Sequence, residues 1–403
     1  MDLNLKEENG SRIFTAVHNG NILGYVAIDS TIRGRSCGGL RMLPDIDEAE
    51  IRTLARSMTF KYGFLGLPQG GAKAGVLGNP EAPQPERMEQ LVAFGRAIEP
   101  LLRTKAFIPT SDMGTQNSDI RHMLHSIGVH ATRRDLRNNS SGYYTGLSVL
   151  AGVVQSARHL GLDLSRCTAA IEGFGNVGKP LAALLFKAGV KIVAISTFQG
   201  TIYNPRGLNV GHLIQLSDEA GSRVVEIYNE AERMDREELL ELPVDILCPC
   251  ARWNSLNLGN VHRIAAKVIC SGANNPMTPD AENVLFERGV LCLPDFVTNC
   301  GGVLGGTMEF ASIRREKIST FIHHHIGARI TWLLNEAKSK HESPREVAIP
   351  FTLRRFNKVA KNADHPTPLN RLFHLGLDFY RRGWIPGCFV APLSLRYFNK
   401  LLT

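Results

Sequence analysis

The stretch TAAIEGFGNVGKPLAALLFKAGVKIVAIS, residues 168–196, decides how this chain folds. Residues 168–172 are small or branched and read as a short buried strand. Gly173, Gly175 and Gly178 follow at Gly-x-Gly-x-x-Gly spacing, with Asn176 and Val177 between the last two, and open an apolar segment of helical length. A second apolar run, 191–196, reads as the next strand. A lone Gly-x-Gly-x-x-Gly carries little weight and fits a purely structural turn. Placed between a strand and a helix, it is the turn on which a dinucleotide pyrophosphate rests. The glycines shape the turn, admit the phosphates to the backbone and let the helix pack on the sheet, while the helix N-terminus faces the anion. The fold class expected is α/β, with a Rossmann-type domain binding NAD or NADP through Gly173, Gly175, Asn176, Val177 and Gly178.

Upstream, MTFKYGFLGLPQGGAKAGV at 58–76 places Lys61 and Lys73 on either side of an apolar, glycine-rich turn. A lysine shielded beside such a turn loses its proton more easily. Bringing a free lysine from about 10.4 to roughly 7–8 takes about 4 kcal/mol against the charged form. A neighbouring cation such as Lys61 contributes to that shift. The bland reading is a surface loop with two solvated lysines. Further on, Asp112 follows an apolar run and precedes Met113-Gly114, so it is expected at a strand end, where a turn aspartate is the ordinary alternative.

The 403 residues suffice for two domains of ordinary size, and 43% hydrophobic composition supports packed cores. The first ten residues are polar and acidic and do not read as a signal peptide. No apolar run reaches the ~20 residues of a membrane span. The eight cysteines are scattered; Cys248-Pro249-Cys250 lacks the second pair a zinc site needs, so reduced thiols, a cytoplasmic location and no metal are expected. Residues 308–403 hold 16 Lys+Arg against 7 Asp+Glu, a surplus of nine within a net charge of +8. Those cations are interleaved with Phe, Leu and Ile at helical spacing, the pattern of solvated amphipathic faces rather than of a nucleic-acid surface.

In chain order, residues 12–30 alternate around His18-Asn19-Gly20, a hairpin signal. Residues 47–61 read as a helix with Ile51, Leu54, Ala55 and Met58 on one side, and 83–102 and 308–340 as further helices. Thr145-Gly146 opens another long apolar helix. His323-His324-His325 is expected on a helix surface, since consecutive residues do not share a helix face. The aromatic, proline-rich tail at 364–403 is expected to pack on the body.

A series of stretches between 38 and 306 resembles, in order, the signatures of the glutamate, leucine, phenylalanine and valine dehydrogenases. They are Gly38-Gly39-Leu40-Arg41, the lysine segment, Asp112-Met113-Gly114-Thr115, the dinucleotide turn entered from Thr145-Gly146, the loops Pro249-Cys250-Ala251 and Gly272-Ala273-Asn274-Asn275-Pro276, and Pro294-Asp295 running to Asn299-Cys300-Gly301-Gly302. The resemblance implies two α/β domains with a cleft between them: 1–134 completed by 331–403 for the substrate, and 135–330 for the nucleotide. It implies NAD(P)-dependent oxidative deamination of an L-amino acid to a 2-oxo acid, by a homo-oligomer. By motif position, Lys61 binds the α-carboxylate, Lys73 is the general base and Asp112 exchanges a proton with the amine. Gly39, Cys37, Asn275, Asn299 and Gly306 line the substrate side, and Thr145, Ser196, Thr197, Cys250, Ala251 and Asn274 the cofactor side. An intact Lys61, Lys73 and Asp112 speaks against a silent cofactor-binding regulator of the same fold.

Two departures from the family pattern bear on specificity. Thr197 stands where an acid usually holds the adenosine ribose, which leaves the choice between NAD and NADP open. Cys37 and Gly306 replace the lysine and serine that, in glutamate enzymes, hold the distal carboxylate. An apolar, roomy pocket for Leu, Phe or Trp is expected, closest to the leucine/phenylalanine branch.

Overall fold

The computed structural model describes residues 1–8, 10–130, 140–365 and 367–402, with the side chains of 368–374 outside the description. The chain divides into two compact units: 1–139 with 310–312 and 351–402, and 140–309 with 313–350.

The first unit holds a six-stranded sheet. Its strands are β1 (Asp2–Glu8), β2 (Ser11–His18), β3 (Asn21–Ile28), β4 (Ser36–Leu43), β5 (Gly70–Leu77) and β6 (Ile108–Ser111), in the spatial order β1-β2-β3-β5-β4-β6. Asn19 and Gly20, both at positive φ, turn β2 back into β3 as the sequence suggests. The three strands that matter for chemistry, β5, β4 and β6, run parallel. Side chains alternate across the sheet. Leu40, Met42, Ala72, Ala74 and Val76 point to one face, where they join Leu91 and Phe94 of α2 (Gln84–Ala97) and Ile120 and Met123 of a helix at Asn117–Ser126. The opposite face is covered by α1 (Glu48–Leu65), capped by Asp47, which accepts from the Glu50 N–H at 2.7 Å. That cap and the apolar side formed by Ile51, Leu54, Ala55 and Met58 are why the segment is a helix. The expected helix at 83–102 is two, broken at Ile98.

The second unit carries a seven-stranded sheet: β7 (Thr168–Glu172), β8 (Lys191–Thr197), β9 (Gly200–Tyr203), β10 (Glu232–Met234), β11 (Ile246–Pro249), β12 (Val268–Cys270) and β13 (Leu291–Leu293). The order is β10-β9-β8-β7-β11-β12-β13, with β8, β7, β11, β12 and β13 parallel and the β8–β9 and β9–β10 pairs antiparallel. The order reverses between β7 and β11, and doubly wound sheets bind ligands beyond the strand ends at such a switch point.

The unit boundaries differ from those read off the sequence. The second unit begins at 140 and retains 313–350, because the helix Gly327–Lys340 packs on the long helix Ser141–Leu160. The helix expected at 308–340 is interrupted: Gly301–Phe310 ends in a turn with Ser312 at φ +58°, then Arg315–Phe321 passes through a π-helical turn at Ile322–Ile326 into Gly327–Lys340. In that turn His323 and His324 are exposed, while the His325 ring lies 4.1 Å from Phe321. The tail packs only in part. Tyr380, Phe398 and Leu402 are buried and Arg355 donates to the Leu401 carbonyl at 2.7 Å, but Trp384, Phe389 and Leu393 are each about two-thirds exposed. None of the eight cysteines is in a disulfide. Among the described residues no helix is long and apolar enough to cross a membrane, and no cluster of His, Cys, Asp and Glu is arranged to hold a metal ion.

Candidate active site

Lys73 sits inside a strand, not beside a turn. The turn lies at 66–69, with Gly66 in the left-handed conformation at the end of α1, while Gly70 and Gly71 already belong to β5. Gly71 is small because α1 lies against it: a β-carbon there would meet the Thr59 nitrogen at 2.3 Å. On the same face of β4, Cys37, Gly39 and Arg41 stand in a row, and the parallel register sets Lys73 level with Gly39. Asp112 follows the last residue of β6 and reaches back over Gly39. A β-carbon on Gly39 would lie 2.8 Å from the Asp112 β-carbon and 3.0 Å from Lys73 Nζ, so only glycine leaves space for the pair.

The resulting site is buried and charged. Lys73, 2% exposed, donates to Asp112 Oδ2, and the same oxygen accepts from Arg41 Nε and Nη2 at 3.2 and 3.1 Å. Arg41 Nη1 in turn donates to Glu50 Oε1 at the start of α1. The Thr115 hydroxyl ties the Asp112 loop to β4 by donating to the Leu40 carbonyl at 2.7 Å. Burial pushes the Lys73 ammonium down and Asp112 pulls it back up; the Arg41 and Lys61 cations add to the depression, and the net value is about 8. Burial opposes the charge on Asp112, yet Lys73 and Arg41 hold it below the usual carboxylate range. Lys61 is buried on α1. Cys37 has its thiol pushed up by burial, with the Tyr62 hydroxyl and the Gly38 backbone as its polar neighbours.

In the second unit the turn after β7 has the shape its spacing suggests. Gly173 has φ +86° and abuts Ala251, and a β-carbon on Gly178 would stand 1.9 Å from the Gly173 carbonyl oxygen. Gly175 differs: a β-carbon there meets nothing within 4 Å, and Gly175 and Asn176 are exposed at the start of the helix Gly178–Lys187. Open backbone before a helix N-terminus fits a pyrophosphate. The Cys250 N–H donates to the Glu172 carbonyl at 2.8 Å, which places Cys250 and Ala251 at the switch point beside the turn, while Val177 packs towards Gly272.

Several expected cofactor side chains have internal partners. The Ser196 hydroxyl accepts from the Gly173 N–H at 3.1 Å, and the Thr145 hydroxyl donates to the Ser141 carbonyl at 2.9 Å. Thr197 donates to the Ser222 carbonyl at 2.8 Å and accepts from the Gln199 N–H at 3.2 Å. Asn299 Nδ2 donates to the Ala273 carbonyl and to Asn274 Oδ1, each at 2.9 Å, and its buried Oδ1 has no partner among the described residues. Asn275, at φ +46°, donates its backbone N–H to Asp295 at 3.0 Å. Gly306 lies half-buried on the helix Gly301–Phe310.

Sequence reading passed over Glu50, the ionic role of Arg41, the Arg345–Asp295–Glu282 cluster behind Asn275, and Glu172. Burial pushes the Glu172 carboxyl up to about 7, although Ser255 donates to it at 3.1 Å. The only sequence signals were an arginine closing Gly-Gly-x-Arg and an acid next to a glycine turn.

An α/β protein with a dinucleotide turn in one unit and a buried lysine–carboxylate site in the other defines a class, the two-domain nicotinamide-dependent dehydrogenases. Family models match most of the chain: "Glutamate/Leucine/Phenylalanine/Valine dehydrogenase" over residues 139–363, and "Glu/Leu/Phe/Val dehydrogenase, dimerisation domain" over 12–128. The chain is 37% identical over 306 residues to a glutamate dehydrogenase of Thermotoga maritima, covering 71% of this chain and 72% of that one. It is 33% identical over 304 residues to an NAD-specific glutamate dehydrogenase of Staphylococcus aureus, covering 71% and 72%. Its fold matches a hetero-hexameric glutamate dehydrogenase from Thermus thermophilus, solved in a Leu-bound form, with TM-score 0.72 at 22% identity over 86% of each chain. The chain belongs to the glutamate/leucine/phenylalanine/valine dehydrogenase family and is an NAD(P)-dependent amino acid dehydrogenase.

Proposed function

We propose that this enzyme oxidatively deaminates an apolar L-amino acid of the Leu, Phe or Trp kind, reversibly, to the 2-oxo acid and ammonia. Lys61 stays cationic and binds the substrate α-carboxylate. Lys73, depressed to about 8, takes a proton from the water that attacks the imino carbon. Asp112, held ionised by Lys73 and Arg41, exchanges a proton with the amine. A nicotinamide cofactor, when bound, would supply the acceptor for the substrate hydride. The Gly173–Gly178 turn, with Gly175 and Asn176 open on it, would hold its pyrophosphate, and Ser196, Cys250, Ala251 and Asn274 belong to the same proposed site. Lys73 beside Asp112 over Gly39 is the observation that carries the reaction type.

Substrate class rests on Cys37 and Gly306. Cys37 is a half-buried thiol in place of a cation, and behaves as a small hydrophobe. A distal carboxylate there would lie without a cation to compensate it, at a cost of several kcal/mol. Glutamate is the competing reading, favoured by the names of the two relatives. Steady-state kcat/KM for Glu, Val, Leu, Phe and Trp, each with NAD and NADP, separates them. Leu, Phe or Trp is expected to lead; valine in first place would correct the pocket size, and glutamate in first place would overturn the pocket. We also place the enzyme in the cytoplasm as a homo-oligomer, which sedimentation of the purified chain checks.

A further inference from the structure

We propose that Arg41, anchored by Glu50, is a positioning residue for the deamination, fixing the Asp112 carboxylate between two cations. The inference rests on Lys73 acting as the base, as proposed above. Three donors of one guanidinium carry it. Nε and Nη2 both meet Asp112 Oδ2, at 3.2 and 3.1 Å, and Nη1 meets Glu50 Oε1. Both partners are out of water, Arg41 at 4% exposure and Glu50 at 1%. Each is also fixed by its backbone: Arg41 is a sheet residue registered against Gly75, and Glu50 donates its N–H to the α1 cap, Asp47. A guanidinium held at three nitrogens cannot follow a moving carboxylate, so it is Asp112 that is fixed.

The consequence concerns Lys73. Bound to Lys73 alone, Asp112 would form a closed ion pair that keeps the proton on the base. Sharing Oδ2 with Arg41 weakens that hold. Among the described residues, the charged groups at this cluster in the first unit are Lys73, Lys61, Arg41, Asp112 and Glu50. They sum to one net positive charge while Lys73 is protonated and to zero once it gives its proton up. Glu50 is therefore the group that makes the proton-free state the neutral one. A buried ion pair with a purely structural role would affect folding and have no consistent sign on the base.

The two charges act in opposite directions, which supplies the test. The acid limb of the pH profile of kcat/KM is measured for wild type, Arg41→Gln, Arg41→Lys and Glu50→Gln, with the best amino acid substrate and saturating cofactor. Arg41→Gln removes a cation beside Lys73, so its limb is expected to move about one pH unit towards alkali, with kcat reduced about tenfold or more. Arg41→Lys keeps the charge without the three-point bridge: kcat falls, and the limb stays within roughly 0.3 pH units of wild type. Glu50→Gln leaves Arg41 uncompensated, and its limb is expected to move towards acid. Limbs of Arg41→Gln and Glu50→Gln that coincide with wild type, or that move in the same direction, overturn the proposal. Should Arg41→Gln fail to fold, the other two still decide it, because an unmoved or alkaline-shifted limb in Glu50→Gln is sufficient to reject it. Failure of the underlying reading looks different: Lys73→Ala would then turn over normally.

Discussion

The two sites of this chain are built from opposite materials. In the first unit, β5, β4 and the end of β6 bring charged side chains together, and those side chains are already paired with one another in the dark of the sheet face. In the second unit, the turn after β7 offers backbone and open space, and the hydroxyls of Ser196, Thr197 and Thr145 all have partners inside the protein. On the proposed function, one site works by what its side chains do to each other's protons, and the other by keeping side chains out of the way of an anion. Substitutions should therefore fail differently in the two places: chemistry is lost in the first with binding retained, and binding or folding in the second.

The widest separation is expected at Lys73. Lys73→Ala should lower kcat by roughly three orders of magnitude or more, within the range a positioned general base contributes. Cofactor affinity, followed by fluorescence titration of the reduced nicotinamide, should stay unchanged. A kcat near that of wild type would sink the assignment. Lys61→Ala should instead act mainly on KM for the amino acid.

The glycines of the turn divide by the same logic. Gly178→Ala forces a β-carbon to within 1.9 Å of the Gly173 carbonyl oxygen, so the helix must shift, at about 1–3 kcal/mol, with a lower melting temperature. Gly175→Ala meets no protein atom within 4 Å. Its melting temperature should match wild type while cofactor binding weakens about tenfold, because the methyl group occupies the place assigned to the phosphates. Equal melting temperatures for the two variants would erase the distinction.

The pH dependence sharpens the charged side of the comparison. The proposed base, Lys73, must be neutral to work, and burial with Arg41 and Lys61 depresses it to about 8. Deamination kcat/KM should thus be level above that pH and fall about tenfold per unit below it. Stability follows the same group with a definite sign. A lysine whose folded value lies below its unfolded value of about 10.4 binds fewer protons when folded between the two, so its contribution rises with pH across that window. It is lost as pH falls through about 8. Denaturant melts at pH 7.5 and 9.5, for wild type and Lys73→Met, should show this pH difference in wild type alone.

The smallest effect is expected at Thr197. An aspartate there would repel a 2′-phosphate, so Thr197→Asp should move the NAD/NADP ratio of kcat/KM severalfold towards NAD. The hydrogen bond to the Ser222 carbonyl would also be lost, so a modest fall in melting temperature should accompany the shift. A wild type that already prefers NAD by three orders of magnitude would show that another group holds the ribose.

Local chemistry is what the amino-acid order determined by itself. Gly173, Gly175 and Gly178 between two short apolar runs specify a strand, a tight turn and a helix, because glycine spacing acts over a few residues of backbone. Asn19-Gly20 specified its hairpin for the same reason. Lys73 and Asp112 were legible as chemical groups from their motifs, and burial of Lys73 follows from the apolar and glycine residues around it. Partnership was decided only in three dimensions. Glu50 sits nine residues after Arg41, and Asp112 seventy-one after it, and nothing in their spacing says that one guanidinium serves both. Parallel strands join distant segments through intervening helices, so their register is set by packing on both faces of the sheet rather than by neighbours in sequence. The same cause explains what was misread. The segment 308–340 has the composition of one helix, yet a turn at Ser312 breaks it.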